Sequence, residues 1–164
     1  MLMSRLDSFI RRLEAQRRCL AYAVEAVAEL PGPVLELGLG NGRTYDHLRE
    51  LCPEREIFVF ERKVAAHPDC IPDAPHLFEG PLDITLPRSL PGFAGQVALI
   101  HADLGSGDPK ADARTSAVVA KYLPELLQSG ALILSDQPLT SGAMETLPPP
   151  EGVDGDRYYI YRAR

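Results

Sequence analysis

Val34-Leu35-Glu36-Leu37-Gly38-Leu39-Gly40-Asn41-Gly42 decides how the rest of this sequence reads. Four residues, apolar apart from Glu36, make a short strand. The alternating glycines that follow let the backbone turn sharply and approach a ligand with no Cβ in the way. Thr44 to Leu51 reads as a short helix. The glycines thus lie where a strand hands over to a helix whose free N–H groups and positive dipole end favour an anion. In a doubly wound sheet, ligands bind beyond the carboxyl ends of the strands, so the residues that end each strand are the candidate site.

Upstream, Ser4 to Leu30 reads as a helix: Leu6, Ile10, Leu13, Leu20, Val24 and Val27 draw one apolar stripe. Ser4 with Asp7 resembles a capping box, and Pro31-Gly32-Pro33 stops the helix. Downstream, strands are expected at Ile57–Phe60, Leu77–Phe78, Val97–Ile100 and Ala131–Leu134. A helix is expected from Asp108-Pro109 toward Gln128, with Pro124 kinking it and Gly130 closing it. Strands alternating with helices imply a parallel sheet with right-handed crossovers. Thr140 to Asp156, rich in Pro, Gly and acid, reads as a loop, and Arg157–Arg162 as a terminal strand, antiparallel at the sheet edge. The expected fold class is α/β: a Rossmann-like three-layer sandwich with a mostly parallel sheet, an antiparallel C-terminal strand and an added N-terminal helix. Its 164 residues fit a single domain: helix 1–32, cofactor-binding core 33–138, and a shortened C-terminal loop and edge strand 139–164.

Composition narrows the partners. No apolar run reaches the roughly 20 residues of a membrane span, and the N-terminus lacks the long apolar stretch of a signal peptide, so a cytoplasmic location is expected. Cys19, Cys52 and Cys70 are odd in number and widely spaced, which reads as free thiols. A net charge of −6 disfavours nucleic acid as a partner. The N-terminal stripe packs on the sheet or on a second subunit, which leaves a homodimer open.

The dinucleotide fingerprint G-x-G-x-x-G would need glycine at position 43, where this chain has Arg43. The sequence instead resembles motif I of class I S-adenosylmethionine-dependent methyltransferases, E/D-x-G-x-G-x-G. That resemblance implies that Glu36, Gly38, Gly40, Asn41 and Gly42, with Thr44 and Tyr45 on the helix start, surround the methionine end of S-adenosyl-L-methionine. Glu61, followed by Arg62, ends the second strand about 20 residues beyond the loop, where an acid accepts the ribose hydroxyls. Gly80-Pro81-Leu82-Asp83-Ile84-Thr85-Leu86-Pro87 resembles the adenine-lining stretch of small-molecule O-methyltransferases, with Pro81 in place of an acid. The adenine then falls to Gly80, Leu82 and Asp83.

His101-Ala102-Asp103 after the fourth strand and Asp136-Gln137 after the fifth resemble the D-A-D and D-N pairs of metal-dependent O-methyltransferases. His101 stands where the first magnesium-binding Asp is expected, so a divalent metal is possible but not favoured. His101 and Asp136 are the candidate catalytic residues, His101 as the base that takes a proton from an acceptor hydroxyl, with Asp103 facing the transferred methyl. The expected function is S-adenosyl-L-methionine-dependent methylation of a small-molecule acceptor, oxygen favoured, with S-adenosyl-L-homocysteine as product. The alternatives are a non-catalytic S-adenosyl-L-methionine-binding subunit and a nicotinamide-dependent oxidoreductase.

Overall fold

The computed structural model describes residues 3–164. Helix α1 (Arg5–Ala26) begins as the sequence implies: Ser4 Oγ accepts from the Asp7 backbone N–H at 3.0 Å and donates to the Asp7 carboxylate at 2.7 Å. It ends at Ala26, with turns carrying the chain on to Leu30. The Arg55 guanidinium caps that end, donating to the carbonyls of Val27, Ala28, Leu30 and Gly32 at 2.7–3.4 Å. All four carbonyls lie past the last helical residue, so Arg55 pins the turns that carry the chain from α1 into β1.

Strands β1 (Val34–Leu37), β2 (Ile57–Glu61), β3 (Leu77–Glu79), β4 (Val97–Ala102), β5 (Leu127–Ser135), β6 (Met144–Leu147) and β7 (Tyr159–Ala163) form one sheet in the order β3-β2-β1-β4-β5-β7-β6. The first five pair in parallel, and β7 runs antiparallel to both of its neighbours. Helices α2 (Arg43–Leu51), α3 (Leu82–Phe93) and α4 (Pro109–Leu126) complete the three layers, with α1 and α2 on one face and α3 and α4 on the other. Alternation along the strands builds both cores. Val34, Leu99, Leu132 and Leu134 pack toward α1 and α2, while Leu35, Leu37, Ile100 and Ile133 pack toward α3 and α4. Glu36 and His101, register partners on β1 and β4, belong by the same alternation to the α1 face.

Three expectations are corrected, and one further helix appears. The segment 140–156 is not all loop: Met144–Leu147 gains a ladder by pairing with β7, Met144 opposite Ala163 and Leu147 opposite Ile160. The C-terminal strand is therefore internal, β6 is the edge, and the hairpin expected to be reduced is complete. What the chain omits is a helix between β5 and β6. Residues 82–93 form a helix despite Pro87 and Pro91, because two prolines four apart lie on one partly exposed face while Leu86, Ser89 and Phe93 point inward. Asp83 is then inside the first turn, with Pro81 at the N-cap. Finally, β5 starts at Leu127 directly after α4, so Gly130 lies in a strand with a register irregularity and does not close a helix.

The N-terminal stripe divides in two. Leu20 and Val27 are buried with Ala15, Cys19 and Ala23, whereas Leu6, Phe9 and Ile10 stay exposed on the first turns. All three cysteines are free, and burial pushes the Cys19 thiol up to about 11.

Candidate active site

The order of strands reverses between β1 and β4, and two cavities open there, beyond the carboxyl ends of the strands. The larger, about 670 Å³, runs over the end of β2, where Phe60, Glu61 and Arg62 lie, to Gly80, Leu82 and Asp83 at the start of α3. Its far wall is the loop after β4 and the first turns of α4, including Leu104, Ser106, Asp112 and Arg114. The smaller, about 280 Å³, lies between the glycine loop and α1, with Asn41, Arg43 and Thr44 on one side and Phe9, Arg12, Leu13 and Gln16 on the other. Gly38, Gly40, Asp103 and Gly105 line both, so the cavities meet at a neck.

The glycines of the loop serve different ends. A Cβ on Gly38 would fall 2.5 Å from the Asp103 carbonyl, and one on Gly42 would fall 2.4 Å from the Cys70 Cβ. Only Gly40 has nothing within 4 Å of a Cβ position, so it is the one that opens its backbone to the cavities. Glu61 reaches back under the loop. Its Oε2 accepts from the backbone N–H groups of Leu39 at 2.7 Å and Gly40 at 3.1 Å, and its Oε1 accepts from Lys63 N–H at 3.1 Å. A carboxylate has about four lone-pair sites, so one remains for a donor in the cavity. Asp136 holds the opposite loop, accepting from Leu104 N–H at 3.0 Å and Gly105 N–H at 2.9 Å. Burial raises its carboxyl above the usual carboxylate range, opposed by the Leu104 N–H and assisted by the Asp103 charge. Asp112 ties the same loop to α4 by accepting from Ser106 at 2.7 Å. Those bonds keep its carboxyl below the usual range.

The structure brings Gly38, Gly40, Asn41, Thr44, Glu61, Arg62, Gly80, Leu82, Asp83 and Asp103 to the cavity walls. It keeps others away. His101 is fully buried, with Nδ1 2.8 Å from Glu36 Oε2 and Nε2 2.5 Å from Tyr158 Oη. Both ring nitrogens are engaged inside the protein, so His101 has no free nitrogen with which to meet an acceptor hydroxyl. Burial lowers its pKa, but the charge and hydrogen bond of Glu36 outweigh this and leave it raised. Glu36 itself is fully buried between His101 and the Thr44 hydroxyl and faces neither cavity. Asp136 lines neither cavity because both its oxygens are occupied by the loop it holds. Tyr45 points to the opposite side of α2, under Arg49, and Gly42 is turned toward Cys70.

The sequence reading offered the N-terminal helix as a wall of the acceptor pocket; α1 does line the smaller cavity, but none of the residues that do so was named as a site residue. Arg12 donates to Asp103 Oδ1 at 3.0 Å and Gln16 donates to Oδ2 at 2.8 Å. No motif signals these contacts; the only hint is a pair of polar residues within an amphipathic helix. Among the described residues, no three His, Cys, Asp or Glu side chains converge in a way that could hold a metal ion. Nor is any helix among them long and apolar enough to cross a membrane.

A 3-2-1-4-5-7-6 sheet with a ligand cleft at the β1/β4 reversal and an acid at the end of β2 defines the class I methyltransferases. The sequence places the chain within that class: residues 3–163 match the S-adenosyl-L-methionine methyltransferase family, and the protein belongs to it. It is 43% identical to an S-adenosyl-L-methionine methyl transferase from Silicibacter pomeroyi DSS-3, whose crystal structure matches with a TM-score of 0.93 over 99% of this chain and 100% of that one. Two structures share the fold at low identity. One is a release factor-specific protein-(glutamine-N5) methyltransferase from Alicyclobacillus acidocaldarius (12% identity, 92% and 93% of the two chains, TM-score 0.52). The other is the Burkholderia thailandensis 1,6-didemethyltoxoflavin-N1-methyltransferase with bound S-adenosylhomocysteine (13% identity, 100% and 91%, TM-score 0.50). No curated protein matches the chain in sequence. The protein is an S-adenosyl-L-methionine-dependent methyltransferase, and the nicotinamide oxidoreductase alternative falls with that family assignment.

Proposed function

We propose that the larger cavity takes the adenosyl part of S-adenosyl-L-methionine and that the smaller one admits a small acceptor, methylated on oxygen. The observation that carries this reading is the neck at Gly38, Gly40, Asp103 and Gly105, where the two cavities meet. The residues present suit the donor. Phe60, Leu82, Leu104 and Val118 offer apolar surface to a flat base, and Glu61 keeps one acceptor site for the ribose diol. Gly40 leaves room for the chain that joins ribose to the amino acid. When bound, S-adenosyl-L-methionine supplies an electrophilic methyl group on a sulfonium.

The acceptor class follows from size and charge. The smaller cavity, at about 280 Å³, falls just below the range of roughly 300–1,000 Å³ for small-ligand sites, which limits it to a small acceptor. Its walls carry two guanidiniums, Arg12 and Arg43, against one carboxylate, Asp103, an excess of positive charge that disfavours an ammonium and favours an acidic hydroxyl or phenolate. Asp103 is the group placed to hold the hydroxyl proton at the neck. Methyl transfer is a displacement that needs alignment above all, and positioning of this kind supplies roughly 7–11 kcal/mol.

The test is transfer of an isotopically labelled methyl group from S-adenosyl-L-methionine into the small-molecule fraction of a cell extract. The labelled product is then characterised by mass spectrometry and NMR. A methyl ether or ester supports the reading. Label found only in macromolecules refutes the small acceptor, and label on nitrogen refutes the oxygen assignment.

A further inference from the structure

Glu36, His101 and Tyr158 are among the most deeply buried polar groups of the molecule, and none of them meets a cavity. Their hydrogen bonds run in one direction. The Glu36 carboxylate only accepts, from the Thr44 hydroxyl on Oε1 and from His101 on Oε2, so His101 Nδ1 carries the hydrogen. In the neutral ring Nε2 is then an acceptor, and the Tyr158 hydroxyl donates to it at 2.5 Å. The Tyr158 oxygen in turn accepts from Gln16 Nε2 at 3.3 Å. The second hydrogen of that amide goes to Asp103 Oδ2 at 2.8 Å, while Arg12 donates to Oδ1. No buried side-chain nitrogen or oxygen among the described residues lacks a partner. If the amide were turned over, the Gln16 oxygen would face the Asp103 carboxylate, acceptor against acceptor. With the ring neutral, the Tyr158 oxygen and the Asp103 carboxylate thus both call for the same face of the Gln16 amide, and that amide ties the Asp103 carboxylate to the buried His101–Tyr158 pair.

We infer that His101 and Tyr158 are positioning residues that act through Gln16 to hold the Asp103 carboxylate at the neck, facing the sulfonium side of S-adenosyl-L-methionine. The inference rests on the assignment of the two cavities above. A carboxylate there attracts the sulfonium of the donor far more than the neutral thioether of the product. Glu36 cannot play that part because it is fully buried between His101 and the Thr44 hydroxyl and meets neither cavity. Asp103 can, since it lines both cavities while drawing its orientation from α1, β4 and the segment before β7.

The test is calorimetric titration of S-adenosyl-L-methionine and, separately, S-adenosyl-L-homocysteine into the wild type, Tyr158→Phe, Gln16→Met and Asp103→Asn. Each variant is expected to weaken binding of the donor by about fivefold or more, the scale of one misdirected charge-assisted hydrogen bond, and to leave the product within about twofold. Variants that weaken both ligands alike, or neither, would show the network to be purely structural and overturn the inference. A wild type that binds neither ligand would refute the cavity assignment itself. Imidazole nitrogen NMR supplies a check that needs no variant to fold. Above its titration, His101 must show a protonated Nδ1 and a bare Nε2; the opposite tautomer overturns the inference.

Discussion

Replacing Gly42 by Ala puts a methyl group where the structure has none to spare. The residue has φ +88°, and its new Cβ would fall 2.4 Å from Cys70 Cβ and 2.9 Å from the Cys70 carbonyl oxygen. The left-handed backbone costs an L-residue roughly 1–2 kcal/mol. Overpacking against Cys70 adds about 1–3 kcal/mol, for a total of about 2–5 kcal/mol. Against a typical domain stability of roughly 5–15 kcal/mol this is a severe loss. At the roughly 2–4 °C per kcal/mol of a domain this size, it corresponds to a fall of about 4–20 °C in Tm. Gly40→Ala is the comparison: φ +53° with nothing within 4 Å. It should cost only the backbone share, about 1–2 kcal/mol, while its methyl enters the ligand space and weakens S-adenosyl-L-homocysteine binding tenfold or more. Urea denaturation gives the stabilities and calorimetric titration the affinities. Adding Cys70→Gly to Gly42→Ala should restore part of the loss, because the Cβ–Cβ clash goes while the carbonyl contact stays. If Gly42→Ala keeps wild-type stability but loses binding, the third glycine serves the ligand and the packing argument is refuted.

Glu61→Ala should weaken S-adenosyl-L-homocysteine at least about tenfold in the same titration, since it removes a charged acceptor both from the cavity and from beneath the loop; unchanged affinity would place the ribose elsewhere. Arg55→Ala should lower stability by about 2–3 kcal/mol in urea, because four carbonyls in the turns after α1 lose one charged donor group. Arg55→Lys should recover less than half of this, as an ammonium cannot span that fork; full recovery would refute the capping role. His101 has a raised folded pKa, so its contribution to stability is complete below about pH 6.5 and is lost as pH rises through the folded value. The stability advantage of wild type over His101→Gln should therefore shrink as pH rises from about 6.5, and an advantage that grows would reverse the assigned sign.

The fold was largely legible in the chain because its signals are local. A strand running into alternating glycines, the regular return of short apolar runs, and Asp108-Pro109 at a helix start act over a few residues each, and all lie where those patterns put them. Glu61 and the Gly80–Asp83 stretch were found for the same reason: they end strands, and strand ends converge in a parallel sheet. The reading went astray where a neighbour distant in sequence overrides local preference. Met144–Leu147 is a strand only because β7 pairs with it, and the helix at 82–93, for which no expectation was set, forms where the sheet buries Leu86 and Phe93.

Function divides along the same line. The order of elements, the glycine loop and the acid at the end of β2 were set by sequence alone, because spacing along the chain determines them. What the tertiary structure decided is which way each side chain faces. Alternation on β1 and β4 turns Glu36 and His101 toward α1 within the sheet, where they are fully buried, while Asp103, on the same face but just past the end of β4, emerges at the neck. The closing of α1 over the loop supplies Arg12 and Gln16, which no motif marks because their partners lie 91 and 87 residues away along the chain.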